Sequence, residues 1–284
     1  MFFGFYIIKS VKTYNSVTCN YNNKMSTFLF SEIIFGPVKS RRLGISLGIN
    51  LLPITKKLCN FNCIYCECGL TDESDQSANN LPSRKDVYNE LEKILLAMKK
   101  KGQNPDVITF AGNGEPTLHP DFPEIVGDTV KLRNMFFSDA KIAVLSNATT
   151  IGNPKVKNAL LMVDQNILKL DSACDDTIEL HNKPNRKIHA QELINDLKTF
   201  NGKLIVQTLF LRGVSEGKKI DNTSAKELDE WVKALEAIRP SEAMIYTISR
   251  DTPDGAKLEK IPLDELHSIA QMINKLGIKT QVSG

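Results

Sequence analysis

Charge of one sign is what this sequence has least of. Its 36 lysines and arginines face 33 aspartates and glutamates, well mixed, for a net charge of +3 over 284 residues. That balance lacks the basic surplus of a dedicated nucleic-acid binder and leaves room only for a local patch. Long apolar runs are scarce too. The opening run MFFGFYII follows no positive charge, precedes no clean small-residue cleavage site and is too short to span a bilayer. We expect no membrane segment and a cytoplasmic location. Patterned sequence begins just after Met25. Residues 1–29 therefore read as an N-terminal extension, disordered or not native, with Met25 as the natural start and 30–284 as the core domain. Histidines number only 4, and no pair of them accompanies the cysteines. The cysteines number only 6, at 19, 59, 63, 66, 68 and 174, yet four of them fall within ten residues. A secreted disulfide framework spreads its cysteines along a short chain, so this crowding points to metal ligation instead.

What is present is enough apolar material for one large core, at 42% of residues. Single α/β barrels often reach ~250 residues, so length does not force two domains. After a first strand, strand and helix patterns alternate. A strand over Leu43–Leu52 leads into the cysteine loop. Ser83 is placed to cap a helix through Val87, Leu91, Ile94, Leu95 and Met98, closed by Gly102. Strands follow at Asp106–Phe110, Lys141–Leu145, Asn166–Leu170, Lys203–Phe210 and Ala243–Ile248, with a short closing strand at Ile278–Val282. Helices are expected at Asp121–Arg133, Pro154–Val163, around Ala190–Phe200, from Ser224 to Pro240 and over Leu263–Leu276. Ser224-x-x-Glu227 has the form of a capping box. The polar stretch Thr71–Asn80 reads as a flexible loop, and no internal repeat is visible. Six strands alternating with helices predict a parallel sheet, either open and doubly wound or an incomplete barrel of six βα units. In both, chemistry belongs at the C-terminal strand ends.

The strongest local signal is Cys59-Asn-Phe-Asn-Cys63-Ile-Tyr65-Cys66. Three thiolates on one short loop can hold three irons of a [4Fe–4S] cube and leave the fourth iron open to another ligand. The rival reading is a structural zinc site on Cys59, Cys63, Cys66 and Cys68. Such sites usually draw two ligand pairs from separated segments, and no second pair is present. The matching rival function is a noncatalytic zinc- or cluster-binding interaction module. A brown anaerobic protein holding iron and sulfide separates the enzyme from a colourless zinc module.

This CxxxCxxC loop after an early strand, with an aromatic before its last cysteine, resembles the signature of the radical S-adenosylmethionine (SAM) enzymes. Gly112-Asn113-Gly114-Glu115-Pro116 follows the next strand and resembles that family's GGEP motif, with Asn113 where a glycine is usual. Together with FGPVKSRRLGISLGINLLP, LKLDSACDDT and YTISRDTP, these motifs resemble the subgroup related to the tRNA wyosine-base synthases, over about residues 30–284. The resemblance implies a partial (βα)6 TIM-like barrel with one [4Fe–4S] cluster on Cys59, Cys63 and Cys66. It further implies SAM on the open iron, cleaved reductively to a 5′-deoxyadenosyl radical, and an electron donor such as flavodoxin or ferredoxin. Tyr65 would lie beside the adenine, and Gly112–Pro116 would receive the SAM amino group. Ser146 and Asn147 end the third strand, and Asp171 and Ser172 end the fourth, where the family contacts the cofactor and its ribose. Gln207 on the fifth strand completes the expected cofactor set. Archaeal wyosine synthases are expected to carry a second cluster. Here only Cys19, Cys68 and Cys174 remain for one, so a single cluster is expected.

Other residues are less specific. Arg41 and Arg42 can bind a carboxylate or phosphate, or form surface salt bridges. Arg250 follows the sixth strand and can meet a carboxylate. His119 and His181 can serve acid–base roles, though isolated histidines are more often structural. Lys169 is ordinarily an outward lysine; turned inward, it would pair with an acid or form a Schiff base. Candidate substrates are a tRNA nucleoside, which the charge balance disfavours, a peptide or protein, and a small metabolite.

Overall fold

The computed structural model describes residues 28–72, 80–249 and 257–284. The expectations for Cys19, Met25, residues 73–79 and Arg250 lie outside them. The described chain opens with an antiparallel hairpin, β1 (Ile34–Ser40) and β2 (Gly44–Ile49). It then alternates: α1 (Arg84–Lys100), β3 (Val107–Phe110), α2 (Phe122–Phe136), β4 (Lys141–Ser146), α3 (Pro154–Leu160) and β5 (Gln165–Lys169). Two short helices follow, α4 (Asp175–Asn182) and α5 (Ala190–Lys198), then β6 (Ile205–Ser215) and β7 (Lys218–Asp221). The chain ends with α6 (Ala225–Ile238), β8 (Glu242–Thr247), β9 (Lys257–Lys260), α7 (Leu263–Asn274) and β10 (Lys279–Ser283).

The sheet order is β1-β2-β3-β4-β5-β6-β8-β10, and every neighbouring pair from β2 onward is parallel. The sheet does not close: β1 lies at one edge and β10 at the other. This is the expected partial barrel, with six main parallel strands and the short closing strand. β6 runs on to Ser215, beyond the expected Phe210, and pairs there with β7 and β9.

Alternation along each strand builds the two faces. Ile108, Phe110, Ile142, Val144, Leu168, Val206 and Ile245 pack outward against the helices. Val107, Ala143, Ile167, Ile205 and Met244, interleaved with them, fill the inner face near the N-terminal strand ends. The inner face is therefore plugged at one end, and polar inner residues gather toward the other. α1 forms where expected: Ser83 accepts the N–H of Asp86, whose carboxylate returns to Ser83. Val87, Leu91, Leu95 and Met98 bury its inner stripe. At α6 the capping box is only half made. Ser224 caps the N–H of Glu227, but the Glu227 carboxylate turns inward to the hydroxyls of Ser172 and Thr177, both at 2.6 Å.

Candidate metal centre and cofactor site

The cysteine loop is held from both sides. On one side it docks on the loop after β3. Leu58 N donates to Asn113 O at 2.8 Å, and Glu115 N donates to Leu58 O at 3.1 Å. Gly114 makes that approach possible: its φ is +140°, and a Cβ there would sit 1.9 Å from the Leu58 carbonyl oxygen. On the other side the loop docks on the chain around the end of α4, through Asn62 N to Lys183 O and Ile64 N to His181 O. Lys57 clasps the loop from within. It is 4% exposed, and its Nζ donates to Gly69 O at 2.9 Å and reaches Asn62 Oδ1 at 3.4 Å.

Two of the three cysteines have nitrogen donors of their own. Cys59 Sγ faces Phe61 N at 3.4 Å and Asn147 Nδ2 at 3.7 Å. Cys63 Sγ accepts from Asn182 Nδ2 at 3.4 Å. Cys66 lies in the field of the Lys57 ammonium and interacts with Cys68. Burial pushes the Cys59 thiol up to about 12 against the pull of Lys57, and burial likewise raises Cys63. Cys66 moves the other way, down to about 5, because Cys68 and then Lys57 stabilise its thiolate; Cys68 rises correspondingly. An all-sulfur set on one loop suits an iron–sulfur cluster. Among the described residues, no three His, Cys, Asp or Glu side chains converge as ligands of a single ion. A four-iron cube asks for something else, three thiolates spread over three corners.

The GNGEP loop is more structural than its motif suggests. Asn113 is fully buried. Its Oδ1 accepts Phe30 N at 2.8 Å, and its Nδ2 donates to Phe30 O at 2.9 Å and Pro53 O at 2.8 Å. The side chain that stands where a glycine is usual thus staples the N-terminal segment to the loop. Glu115 is 2% exposed. Its Oε1 accepts from Thr117 and its Oε2 from Asn147 N at 2.6 Å. Burial lifts its carboxyl above the usual range, opposed by those hydrogen bonds. Pro116 opens a buried 3₁₀ turn, Pro116–Leu118. Gly112 lies against Asn50 and accepts from Cys68 Sγ at 3.5 Å.

At the other strand ends, Ser146 accepts Ala148 N and Asn147 braces the cysteine loop through Asn60 Oδ1 at 2.6 Å. Asp171 is 2% exposed. Its Oδ1 accepts Leu209 N at 2.9 Å; its Oδ2 accepts from Tyr65 and from Asn182 Nδ2 at 2.7 Å. Ser172 is fully buried between Glu227 and Cys174 N. These two were expected to meet ribose hydroxyls. In the structure the Ser172 hydroxyl bonds Glu227, and the Asp171 carboxylate accepts from Tyr65, Asn182 and Leu209.

Lys169 takes the inward of its two expected directions and pairs with an acid. Its Nζ donates to Tyr65 OH at 2.6 Å and lies 3.4 Å from Asp171 Oδ2. Burial opposes its charge, but Asp171, Tyr246 and Cys63 outweigh burial and raise its pKa. Asp171 is held down chiefly by Lys169, against burial. Burial, then Asp171, pushes Tyr65 well above the usual phenol range. Tyr65 also meets His181 edge-on at 5.2 Å. His181 is fully buried, neither ring nitrogen has a hydrogen-bond partner, and burial drops its pKa to about 4. Gln207, adjacent to Lys169 in the β5–β6 register, is 6% exposed with its Nε2 unpartnered. His119 is structural: Nδ1 accepts Asp121 N and Nε2 faces Pro82 O. Arg42 stacks over Tyr246 at 4.4 Å, and Arg41 donates to Ser249 and Gly284. Sequence reasoning missed Lys57, Asn182 and Asn50 altogether.

The family model described as the radical SAM superfamily matches residues 54–218, which include the cysteine loop, the GNGEP loop and the Lys169–Asp171 strand end. The chain belongs to that superfamily. Radical SAM enzymes work with a [4Fe–4S] cluster and SAM and draw their electron from a reductant; this chain is such an enzyme, with those two cofactors. The UPF0026 protein of Helicobacter pylori strain J99 is 33% identical over 238 residues, covering 82% of this chain and 71% of that one. A Brachyspira hyodysenteriae protein named GTPase Obg is 32% identical over 234 residues, and there the match spans only 32% of the relative's length. Among solved structures, a radical SAM methyltransferase from Sphaerobacter thermophilus aligns with a TM-score of 0.59 at 13% identity, covering 84% of this chain and 65% of that one. Streptococcus suis SuiB aligns at 0.58 and 15% identity, covering 84% of this chain and 49% of that one. These two likenesses bear on the fold alone. No described helix is long and apolar enough to cross a membrane.

Proposed function

We propose that Cys59, Cys63 and Cys66 hold one [4Fe–4S] cluster, and that SAM and the substrate meet at the polar end of the barrel. When bound, the cluster supplies the electron that cleaves SAM to a 5′-deoxyadenosyl radical, which abstracts hydrogen from the substrate. The observation that carries this reading is the three-thiol loop, held between the loop after β3 and the end of α4, with amide donors to Cys59 and Cys63.

This chain's own residues position and exclude. Gly114 and Leu58 fix the loop, and Asn147 and Asn182 orient Cys59 and Cys63. Tyr65, Lys169 and Asp171 form a rigid polar wall beside the thiols. On our reading the adenine end of SAM lies against Tyr65, its amino group near Gly112–Pro116, and Gln207 Nε2 offers a free donor to SAM or substrate. The other expected cofactor contacts lie at two strand ends, Ser146 and Asn147 at β4 and Asp171 and Ser172 just after β5. We read residues 30–284 as one core domain working in the cytoplasm, with flavodoxin or ferredoxin as donor.

The substrate is a peptide or protein, a small metabolite, or a tRNA nucleoside, the last disfavoured by a net charge of only +3. The test is anaerobic incubation of the reconstituted protein with SAM, dithionite and each substrate class, read by mass spectrometry. We expect 5′-deoxyadenosine, and a substrate of one class altered in step with it. A colourless zinc protein that leaves SAM intact would instead establish the interaction module.

A further inference from the structure

Among the groups that touch the cysteine loop, Lys57 stands apart. Asn147 and Asn182 bring neutral amides to the sulfurs, whereas Lys57 brings a full positive charge. It does so while 4% exposed. Isolated ammonium groups are costly to bury, so a buried lysine needs an anion or a set of acceptors. The polar atoms that receive its protons are Gly69 O and Asn62 Oδ1, both on the cysteine loop. The charges that bear on it are those of Cys66, Cys59 and Cys63. The ammonium also joins residues 57, 62 and 69, and so spans the stretch that carries all three cysteines.

We propose that Lys57 is the built-in counter-charge of the cluster, holding the cysteine loop closed and making the bound cluster easier to reduce. This rests on the reading that Cys59, Cys63 and Cys66 carry the cluster. The physical argument is Coulombic. An iron–sulfur cube on three thiolates gains a negative charge when it accepts an electron. A fixed cation buried within the loop that carries its sulfurs, in a site with little water to screen it, stabilises that added charge. The net charge around a cluster sets its potential, and Lys57 supplies a positive charge within the cysteine loop. The cluster in turn supplies the anion that keeps Lys57 buried. Lys57 is a tuning residue: it acts through the cluster ligands and touches no reacting atom.

The test compares the full chain with Lys57→Gln, which keeps a donor and removes the charge, and with Lys57→Arg, which keeps the charge. All three are reconstituted anaerobically, assayed for iron and sulfide, and titrated for the cluster midpoint potential by electron paramagnetic resonance. We expect Lys57→Gln to titrate at a more negative potential than the native chain and Lys57→Arg to stay near it. A cluster that assembles in Lys57→Arg but not in Lys57→Gln supports the same conclusion. A Lys57→Gln protein with full iron and an unshifted midpoint overturns it. So does equal loss of the cluster from both variants, which would mark the lysine as packing alone. Failure of the underlying reading looks different: the native chain would hold no iron–sulfur cluster, or Cys63→Ala would hold one at full loading.

Discussion

The carboxylate of Glu115, after β3, accepts the backbone N–H of Asn147, at the end of β4, at 2.6 Å. Its other oxygen holds Thr117. An acid whose motif assigns it to the cofactor is therefore also the brace between two strand ends. Glu115→Ala would strand the Asn147 and Thr117 N–H groups in a buried site, at about 1–3 kcal/mol for each unsatisfied group. We expect the variant to melt clearly below the native chain in anaerobic thermal denaturation, with iron loading reduced in parallel. Unchanged melting with selectively lost SAM binding would return Glu115 to a purely cofactor-binding role.

Asn113 replaces a glycine of the usual motif, and its amide pairs with both backbone groups of Phe30. Asn113→Gly restores the common form and removes those two hydrogen bonds and the one to Pro53. At about 1 kcal/mol each, the loss is roughly 3 kcal/mol of stability. Limited proteolysis should cut more readily near Phe30, while SAM affinity changes little. An affinity loss without faster cleavage would show that Asn113 faces the cofactor.

Gly114→Ala sets a methyl group against the Leu58 carbonyl oxygen, at a φ of +140° that side chains rarely adopt. The cysteine loop must then lift from the β3 end. Iron bound after reconstitution should drop several-fold, while far-ultraviolet circular dichroism stays native. Full loading would mean that this docking does not shape the site.

The fold was largely legible because its strands are short apolar runs and its helices carry apolar stripes. The elements that escaped have neither. β7 reads KKID and β9 KLEK, too charged and too short to show alternation. α4 follows Ser172-Ala-Cys174 without a side-chain cap and buries little beyond Ile178, His181 and Asn182. The cysteines were legible because ligand spacing is written in sequence. The directions of Lys57, Lys169 and Asn182 were not. Lys57 sits in an irregular loop, where no period says which way a side chain points. Lys169 sits in a strand whose inner face became known only from its neighbours. The protein partners of Asp171 and Ser172 were not legible either, because position at a strand end does not reveal that Tyr65, Asn182 and Glu227 bond their polar atoms.

His181 gives a pH prediction with a definite sign. Its folded pKa is about 4, against about 6.5 when unfolded. The native state thus binds fewer protons than the unfolded chain between those values. Its neutrality favours folding fully above pH 6.5, and that contribution is lost as pH falls toward 4, by roughly 3 kcal/mol in all. Urea denaturation under anaerobic conditions from pH 7.5 to 5 should show a steeper fall for the native chain than for His181→Phe. Parallel curves would mean that His181 is accessible to protons in the folded state.

The central claim is that Cys59, Cys63 and Cys66 carry the cluster that cleaves SAM. Its most direct test is the amount of 5′-deoxyadenosine formed per chain under dithionite, measured on the native protein and on Cys63→Ala after identical reconstitution. The account predicts steady formation by the native chain, holding ~4 irons, and none above background from Cys63→Ala. A Cys63→Ala protein that cleaves SAM at the native rate would contradict it.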